Sequence, residues 1–264
     1  MSNWLKPRAK QKVIAFGVEP SNRKFRLRLA RYVGIADLLA GLKLREGALV
    51  LDAGCGRGRM PLYYKARQGV SPVTFIGVDV SDERIKDARV KGSYAEIIKS
   101  GIESLPFESG SFDVVVCEQV LEHLDDAALE SALSEFSRVL RPDGRLIAGV
   151  PVYTDPELWI KPIWLGARAV LAKITGSTPD HEQQFSVRTF KKLLRRHGFA
   201  VDGIRAYRLW SLFYQGLEDY EWYYRMQGRL AQWFPSLSGE VDLLCRRASV
   251  EAPSPAPAPP HPRT

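Results

Sequence analysis

A glycine-rich turn directly behind a short apolar run is the feature that most constrains how this chain can fold. Residues 48–51 (ALVL) are apolar, and they are followed by Asp52 and by glycines at positions 54, 56 and 58. An apolar run of this length between turn residues is typical of a parallel strand that is covered on both faces. Glycines behind such a strand let the backbone approach a ligand where a Cβ would block it. The sequence therefore predicts a strand, a ligand-binding turn and a helix in succession.

Apolar runs and helical stretches alternate along the rest of the chain. The further runs that we expect to form strands lie at residues 74–78, 96–98, 112–116, 145–150 and 240–245. Apolar residues at helical spacing predict helices at residues 23–43, 81–90, 127–140 and 186–197. Strands that alternate with helices predict an α/β fold with a doubly wound, Rossmann-like sheet.

An acidic residue ends the second apolar run. Asp79 lies about twenty residues beyond the glycines, where a carboxylate can accept hydrogen bonds from both hydroxyls of a ribose. A dinucleotide site usually has its third glycine three positions after the second, whereas Gly56 and Gly58 are two apart. The spacing disfavours a nicotinamide or flavin dinucleotide, but it leaves an NAD-dependent oxidoreductase open as an alternative.

Positive charge is concentrated at the start of the chain. Residues 1–45 hold 11 Lys and Arg against two acidic residues, and the whole chain carries a formal net charge of +8. Such a segment suits an anionic lipid surface, nucleic acid or an acidic substrate, and it equally suits a solvated face. Because the sequence has neither a membrane-spanning apolar run nor a signal-peptide pattern, we expect a cytoplasmic protein. The three scattered cysteines are expected to be reduced and buried.

Several stretches, in the same order, resemble class I S-adenosylmethionine-dependent methyltransferases of the methyltransferase type 11 group. These are residues 52–58 (DAGCGRG), 77–79 (GVD), 102–107 (IESLPF), 111–115 (SFDVV), 121–124 (LEHL), 138–144 (RVLRPDG) and 198–199 (GF). The match covers roughly residues 24–246. The resemblance implies a mostly parallel sheet of seven strands whose last strand is antiparallel. It also implies that S-adenosylmethionine lies across the carboxyl ends of the strands, where open α/β sheets bind ligands.

The resemblance also assigns the cofactor-binding residues. Asp52 and the turn of Gly54, Cys55 and Gly56 would line the methionine half, Asp79 would hold the ribose, and Val80 would pack on the adenine. Ile102 would meet the adenine edge through its backbone, and Cys117 and Glu118 would lie by the methionine amino group. One position departs from the family, because members often carry Asp where this chain has Gly101. The exocyclic amine of the adenine would therefore lack its side-chain acceptor.

Methyl transfer from a sulfonium requires alignment and exclusion of water rather than a nucleophilic side chain. If a hydroxyl receives the methyl group, a general base helps, and the candidates are His123, Glu122, His181 and Glu118. Two of these have structural alternatives. His123 would equally be bonded within a helix behind the fourth strand, and His181 would equally cap the helix that follows it.

A weaker resemblance points to the O-methyltransferases of ubiquinone biosynthesis. It rests on residues 117–123 (CEQVLEH) and 155–159 (DPELW). Those enzymes use a Glu-x-x-Glu-His cluster to help place a divalent metal, and an inserted helix touches the membrane. Here Gln119 stands at the first glutamate position, and Glu122 and His123 would point about 100° apart on a helix. No metal site is therefore predicted.

The predicted organisation is a basic, flexible arm (1–22), a methyltransferase domain (23–250) and a disordered Pro/Ala-rich tail (251–264). Aromatic helical insertions are expected at about 152–183, after strand five, and at 208–238, between strands six and seven. Residues 151–238 hold 16 of the 27 aromatic residues. The amphipathic stretch 158–174 suits an interfacial helix, a lid over a hydrophobic substrate, ordinary core or a dimer interface.

These features favour a methyltransferase that acts on a hydrophobic small-molecule or lipid-linked acceptor, in contact with the inner face of a membrane. Two alternatives stay open. An RNA methyltransferase would use the basic arm, although the sequence holds no recognisable RNA-binding module, so nucleic acid is the less favoured partner. A binding or scaffold protein that keeps the fold without the chemistry would account for Gly101 and for the lack of an obvious base. The sequence does not indicate an oligomeric state.

Overall fold

The computed structural model describes residues 23–68, 73–153, 183–207 and 221–248. The helices are α1 (Arg23–Gly41), α2 (Met60–Gln68), α3 (Asp82–Lys91), α4 (Asp126–Val139), α5 (Val187–Arg196) and α6 (Glu221–Trp233). The strands are β1 (Ala48–Ala53), β2 (Val73–Asp79), β3 (Glu96–Lys99), β4 (Phe112–Glu118), β5 (Leu140–Pro151), β6 (Phe199–Ala206) and β7 (Glu240–Arg247). Two short 3₁₀ turns lie at Leu121–His123 and Pro235–Leu237.

The seven strands form one sheet in the order β3-β2-β1-β4-β5-β7-β6. The first five are parallel, and β7 runs antiparallel to both β5 and β6. The predicted doubly wound sheet with an antiparallel last strand is confirmed. The strand order reverses between β1 and β4, and open α/β sheets bind their ligands at the carboxyl ends of the strands at such a point.

Helices cover both faces of the sheet. On β4, Val115 and Cys117 join a core built with α4 and α5, whereas Val114 and Val116 join a core built with α1 and α2. Burial on both faces is the reason that the central strands are almost continuously apolar. All three cysteines are buried and free, as expected.

The local signals place the elements well, with two exceptions. Helix α3 begins after the N-cap Ser81 and ends at Gly92, and α5 begins after the N-cap Ser186. The helix expected around His123 is instead a single 3₁₀ turn, because the Asp125 side chain accepts the backbone N–H of Ala128 and starts α4 afresh. Strand β5 begins at Leu140 rather than at residue 145, since Leu140 pairs with Phe112 ahead of a register shift.

Several sequence predictions fall outside the described residues. They concern the basic arm (1–22), the amphipathic stretch 158–174, His181 and the tail (251–264). Of the second predicted insertion, the structure describes residues 221–238, which hold α6. Within the described ranges, no helix combines the length and the apolar character needed to span a membrane.

Candidate cofactor and acceptor site

The glycine turn between β1 and α2 is bound to the end of β2. The backbone N–H groups of Gly54 and Cys55 both donate to the Val78 carbonyl, at 2.9 and 2.8 Å. Gly54 and Gly56 have φ values of 82° and 53°, which only glycine adopts at little cost. A Cβ on Gly54 would overlap Val120, whereas a Cβ on Gly56 would have no atom within 4 Å. The turn therefore leaves open space above Gly56 and is closed by Val120 on the side of Gly54.

Asp79 fixes the same turn from the end of β2. Its Oδ2 accepts the backbone N–H of Gly56 at 2.9 Å, and its Oδ1 accepts that of Ser81 at 2.9 Å. A carboxylate has about four lone-pair sites, so each oxygen keeps one for a ligand. The next residue, Val80, is an apolar side chain that is 65% exposed. The carboxylate of Asp79 beside the open glycine turn fits the ribose of a nucleoside, and the exposed apolar side chain of Val80 fits its base.

Asp52 lies at the end of β1 with its carboxyl buried. The Tyr94 hydroxyl donates a hydrogen bond to Asp52 Oδ2. Burial raises the pKa of Asp52 to about 7, the Tyr94 bond acts in the opposite direction, and the charge of Asp79 adds to the rise. Burial also raises the pKa of Cys55, which keeps this thiol protonated. Asp52 therefore changes its charge near neutral pH.

The segment behind β3 forms the other wall of this region. The backbone N–H of Ser100 donates to the Asp79 carbonyl at 3.2 Å, which holds the segment beside the end of β2. Ile102 is only 4% exposed and anchors the segment in the core. The structure therefore brings Asp79, Val80 and Ile102 to one edge of the sheet, as their predicted roles require. Those roles remain predictions.

A buried polar cluster lies at the same edge, behind β4. The Glu118 carboxyl faces that of Asp242 across Gly149, where a Cβ would overlap both. Burial and the charge of Asp242 raise the pKa of Glu118 well above its usual range, so the two carboxyls are expected to share a proton. The Cys117 side chain points away into the core. The structure thus turns the Glu118 carboxyl toward β7, and the place of Cys117 and Glu118 beside the methionine amino group stays a prediction.

Arg31 and Tyr207 complete the polar cluster. Arg31 on α1 lies 3.7 Å from Glu118 Oε1 through its Nη1 and 3.6 Å from Glu240 Oε2 through its Nε. The Tyr207 hydroxyl donates to Asp242 Oδ2. The cluster holds more acids than cations, and the Glu240 Oε2 atom is buried without a hydrogen-bond partner in the described structure. It can therefore receive hydrogen-bond donors.

Glu122 lies in the 3₁₀ turn two residues beyond Val120. Its side chain is 1% exposed, and its buried Oε2 has no hydrogen-bond partner among the described residues. Burial raises the pKa of Glu122 to about 7, against the effects of its own backbone N–H and of Arg31. His123 is half-exposed, with Nε2 3.9 Å from Glu122 Oε1. Among the predicted bases that the structure describes, Glu122 is the one that is both buried and has a pKa suited to proton transfer near neutral pH.

The backbone is strained directly ahead of this turn. Gln119 has a positive φ of 54°, which is uncommon outside glycine, and its backbone N–H donates to the Gly149 carbonyl at 2.9 Å. Its buried Nε2 has no partner in the described structure. Strain of this kind collects at functional sites. In the described ranges, no three His, Cys, Asp or Glu side chains are grouped in a way that would hold a metal ion.

Sequence reasoning missed the residues that reach this edge from distant parts of the chain. Tyr94, Arg31, Asp242 and Tyr207 belong to no motif, and each contacts a site residue through the tertiary fold. The weak signals are polar residues in otherwise apolar surroundings. Asp242, for example, interrupts the apolar run of β7.

Comparison with known proteins agrees with this geometry. Residues 51–148 match the family model described as a methyltransferase domain. The matched range runs from β1 to β5 and contains the glycine turn, Asp79 and Glu122. Residues 51–148 are a methyltransferase domain.

Curated relatives cover part of this chain. A malonyl-[acyl-carrier protein] O-methyltransferase of Enterobacter lignolyticus is 35% identical over 109 residues, which are 41% of each chain. A demethylmenaquinone methyltransferase of Lactiplantibacillus plantarum is 30% identical over 152 residues, which are 55% of this chain and 62% of the relative. The chain spans 33–62% of the length of the curated relatives compared with it. The similarity therefore centres on the methyltransferase domain.

Solved structures share the fold over a longer range. The structure of a geranyl diphosphate methyltransferase in complex with GPP and sinefungin aligns with a TM-score of 0.56 at 18% identity. The alignment covers 84% of this chain and 78% of that one. At this identity the likeness shows the fold alone, and it extends the shared fold beyond the matched family model.

Proposed function

We propose that this protein transfers a methyl group from S-adenosylmethionine to a hydroxyl of a hydrophobic small-molecule or lipid-linked acceptor. The observation that carries the proposal is the buried carboxyl of Glu122, which lies in the 3₁₀ turn near the glycine turn. Its Oε2 has no hydrogen-bond partner among the described residues, and its pKa is about 7. A hydroxyl must lose its proton to accept a methyl group, and Glu122 offers a base for it. Carboxylate bases of this kind are tuned by burial.

The chain's own residues divide the work of binding and positioning. When bound, S-adenosylmethionine supplies an electrophilic methyl group on a sulfonium sulfur. Asp79 would hold the ribose hydroxyls, the open space above Gly56 would admit the ligand, and Asp52 in its ionised form would attract the positive methionine end. Glu122 accepts a proton at Oε2, and Val120 keeps that turn against Gly54.

The hydrophobic character of the acceptor is supported by the aromatic content of the insertions, with 16 of 27 aromatic residues in the range 151–238. In the described part of this range, Trp233 and Phe234 are 79% and 50% exposed. Two similar proteins are named for molecules that carry an isoprenoid chain, demethylmenaquinone and geranyl diphosphate. The carboxyls of the polar cluster behind β4, which can accept hydrogen bonds, would bind the polar head of such an acceptor.

Membrane contact is the second part of the proposal. The basic residues of the range 1–45 and exposed aromatic side chains such as Trp233 suit an anionic bilayer surface. Co-sedimentation with anionic vesicles at low salt would test it, with neutral vesicles and Trp233→Ser for comparison. We expect binding to anionic vesicles that salt and the substitution weaken. Absence of binding at low salt would contradict membrane contact and leave the chemistry unaffected.

The chemistry is tested in two steps. Isothermal titration with S-adenosylhomocysteine should show binding, whereas titration with NAD should not. Incubation with methyl-labelled S-adenosylmethionine and a panel of isoprenoid phenols and matched anilines should then label the phenols. Failure to bind S-adenosylhomocysteine would favour a scaffold role, and labelling of anilines alone would contradict O-methylation.

A further inference from the structure

The loop behind β3 carries a carboxylate in an unusual position. Gly101 has no side chain, and a Cβ built on it would lie closer than 3.0 Å to the carboxyl carbon and to both carboxylate oxygens of Glu103. The Glu103 side chain therefore folds back over Gly101 and occupies the space that a side chain at position 101 would fill. This placement is possible only because position 101 is glycine.

The loop that holds this carboxylate is well defined. Ser100 Oγ lies 2.9 Å from the Ser104 carbonyl and 3.0 Å from the Gly101 carbonyl, which closes the loop on itself. Ile102 anchors it in the core, and the Ser100 N–H holds it against Asp79. The loop consequently holds the exposed Glu103 carboxylate at the carboxyl ends of β2 and β3.

The Glu103 carboxylate keeps its hydrogen-bonding capacity in the described part of the structure. It is exposed, and within residues 23–68, 73–153, 183–207 and 221–248 it makes no hydrogen bond or ion pair. Lys99, at the end of β3, bonds instead to Asp82. A supported carboxylate with free lone pairs is suited to a ligand that donates hydrogen bonds.

The neighbouring features identify the donor. Val80 offers an exposed apolar surface on the next strand, beside the Asp79 carboxylate that would hold a ribose. A purine attached to that ribose and resting on Val80 would lie near the loop behind β3, because the Ser100 N–H bonds this loop to the Asp79 carbonyl. The exocyclic amine of adenine is a neutral donor with two N–H groups, and the acceptor on this loop is Glu103.

We propose that Glu103, folded over Gly101, accepts the exocyclic amine of the adenine and gives the cofactor site its selectivity for adenine. The inference rests on the proposed use of S-adenosylmethionine. It adds Glu103 to the cofactor-binding residues, in place of a side chain at position 101. A charge-assisted hydrogen bond of this type is worth at least about tenfold in affinity.

The test compares two probes by isothermal titration: S-adenosylhomocysteine and its purine analogue that lacks the exocyclic amine. The unaltered chain should bind S-adenosylhomocysteine at least about tenfold more tightly than the analogue. Glu103→Ala should abolish this preference by weakening only the amine-bearing probe. The matched control is Glu108→Ala, which removes another exposed glutamate ahead of β4 and should keep the preference.

A rescue variant separates recognition from loop damage. Gly101→Asp in the Glu103→Ala background places a carboxylate in the vacated space and should restore the preference for the amine. The inference would be overturned if Glu103→Ala kept the preference of the unaltered chain for the amine-bearing probe, or if it weakened the binding of both probes equally. In either case, binding of S-adenosylhomocysteine by the unaltered chain would still uphold the proposed function. No binding of S-adenosylhomocysteine by the unaltered chain would contradict both.

Discussion

The Tyr94 hydroxyl donates a hydrogen bond to the carboxyl of Asp52 across 42 positions of sequence. Tyr94 lies between α3 and β3, and Asp52 lies at the end of β1 where the glycine turn begins. The bond lowers the pKa of Asp52, but burial outweighs it and brings the pKa to about 7. A carboxyl at the methionine end of the site is thereby poised to ionise at neutral pH.

The first prediction concerns stability and pH. The folded chain binds the Asp52 proton more tightly than the unfolded chain, because the pKa rises from 3.8 to about 7 on folding. The resulting stabilisation is fully present below pH 3.8 and is lost as the pH rises through about 7. As the pH rises between these values, the free energy of unfolding should therefore fall less in Asp52→Asn than in the unaltered chain.

Urea unfolding at a pH of about 5 and about 8 measures this difference. Asp143→Asn is the control, because Asp143 is exposed and, among the described residues, its side chain makes no contact with the site. That variant should follow the pH dependence of the unaltered chain. If Asp52→Asn did so as well, Asp52 would not carry a raised pKa.

The second prediction concerns Asp79. Asp79→Ala should weaken the binding of S-adenosylhomocysteine by about 1–3 kcal/mol, because the ribose loses hydrogen bonds to the carboxylate. Asp79→Asn keeps the shape and one acceptor and should lose less. Isothermal titration measures both, with Asp143→Ala as the surface control. Unchanged affinity in Asp79→Ala would show that the ribose lies elsewhere.

The sequence indicates those parts of the fold and site that depend on local chemistry. The apolar runs predict buried parallel strands, and the Gly54–Gly58 spacing predicts the turn, because both depend on residues adjacent in the chain. It does not indicate contacts between distant segments. Arg31 precedes β1 and approaches Glu118 on β4 and Glu240 on β7, and such pairing is set by the sheet order rather than by any motif. The path of Glu103 over Gly101 likewise depends on side-chain packing.

The third prediction compares two arginines. Arg31→Met should destabilise the protein by about 2 kcal/mol or more, since it leaves Glu240 and the proton-sharing pair of Glu118 and Asp242 without their cation. The control Arg45→Met removes an ion pair to Asp113 whose arginine is 58% exposed, and it should cost less than about 1 kcal/mol. Urea unfolding measures both.

A double variant tests the cause of the Arg31 effect. Arg31→Met combined with Glu240→Gln should recover part of the lost stability, because the amide at position 240 carries no charge to leave unpaired. Equal losses in Arg31→Met and Arg45→Met would show that the polar cluster is not electrostatically coupled to α1.

The last prediction concerns the proposed base. With a phenol that the labelling panel identifies, Glu122→Gln should lower kcat about 10²–10⁴-fold and leave the affinity for S-adenosylhomocysteine unchanged. In the unaltered chain, kcat should rise with pH through about 7, because the carboxyl must be ionised to accept a proton and its pKa lies there. Glu122→Gln should lose that rise. The comparison variant is His123→Gln, which should keep it because the glutamate carboxyl remains. A pH dependence that persisted in Glu122→Gln and disappeared in His123→Gln would transfer the role of base to the histidine.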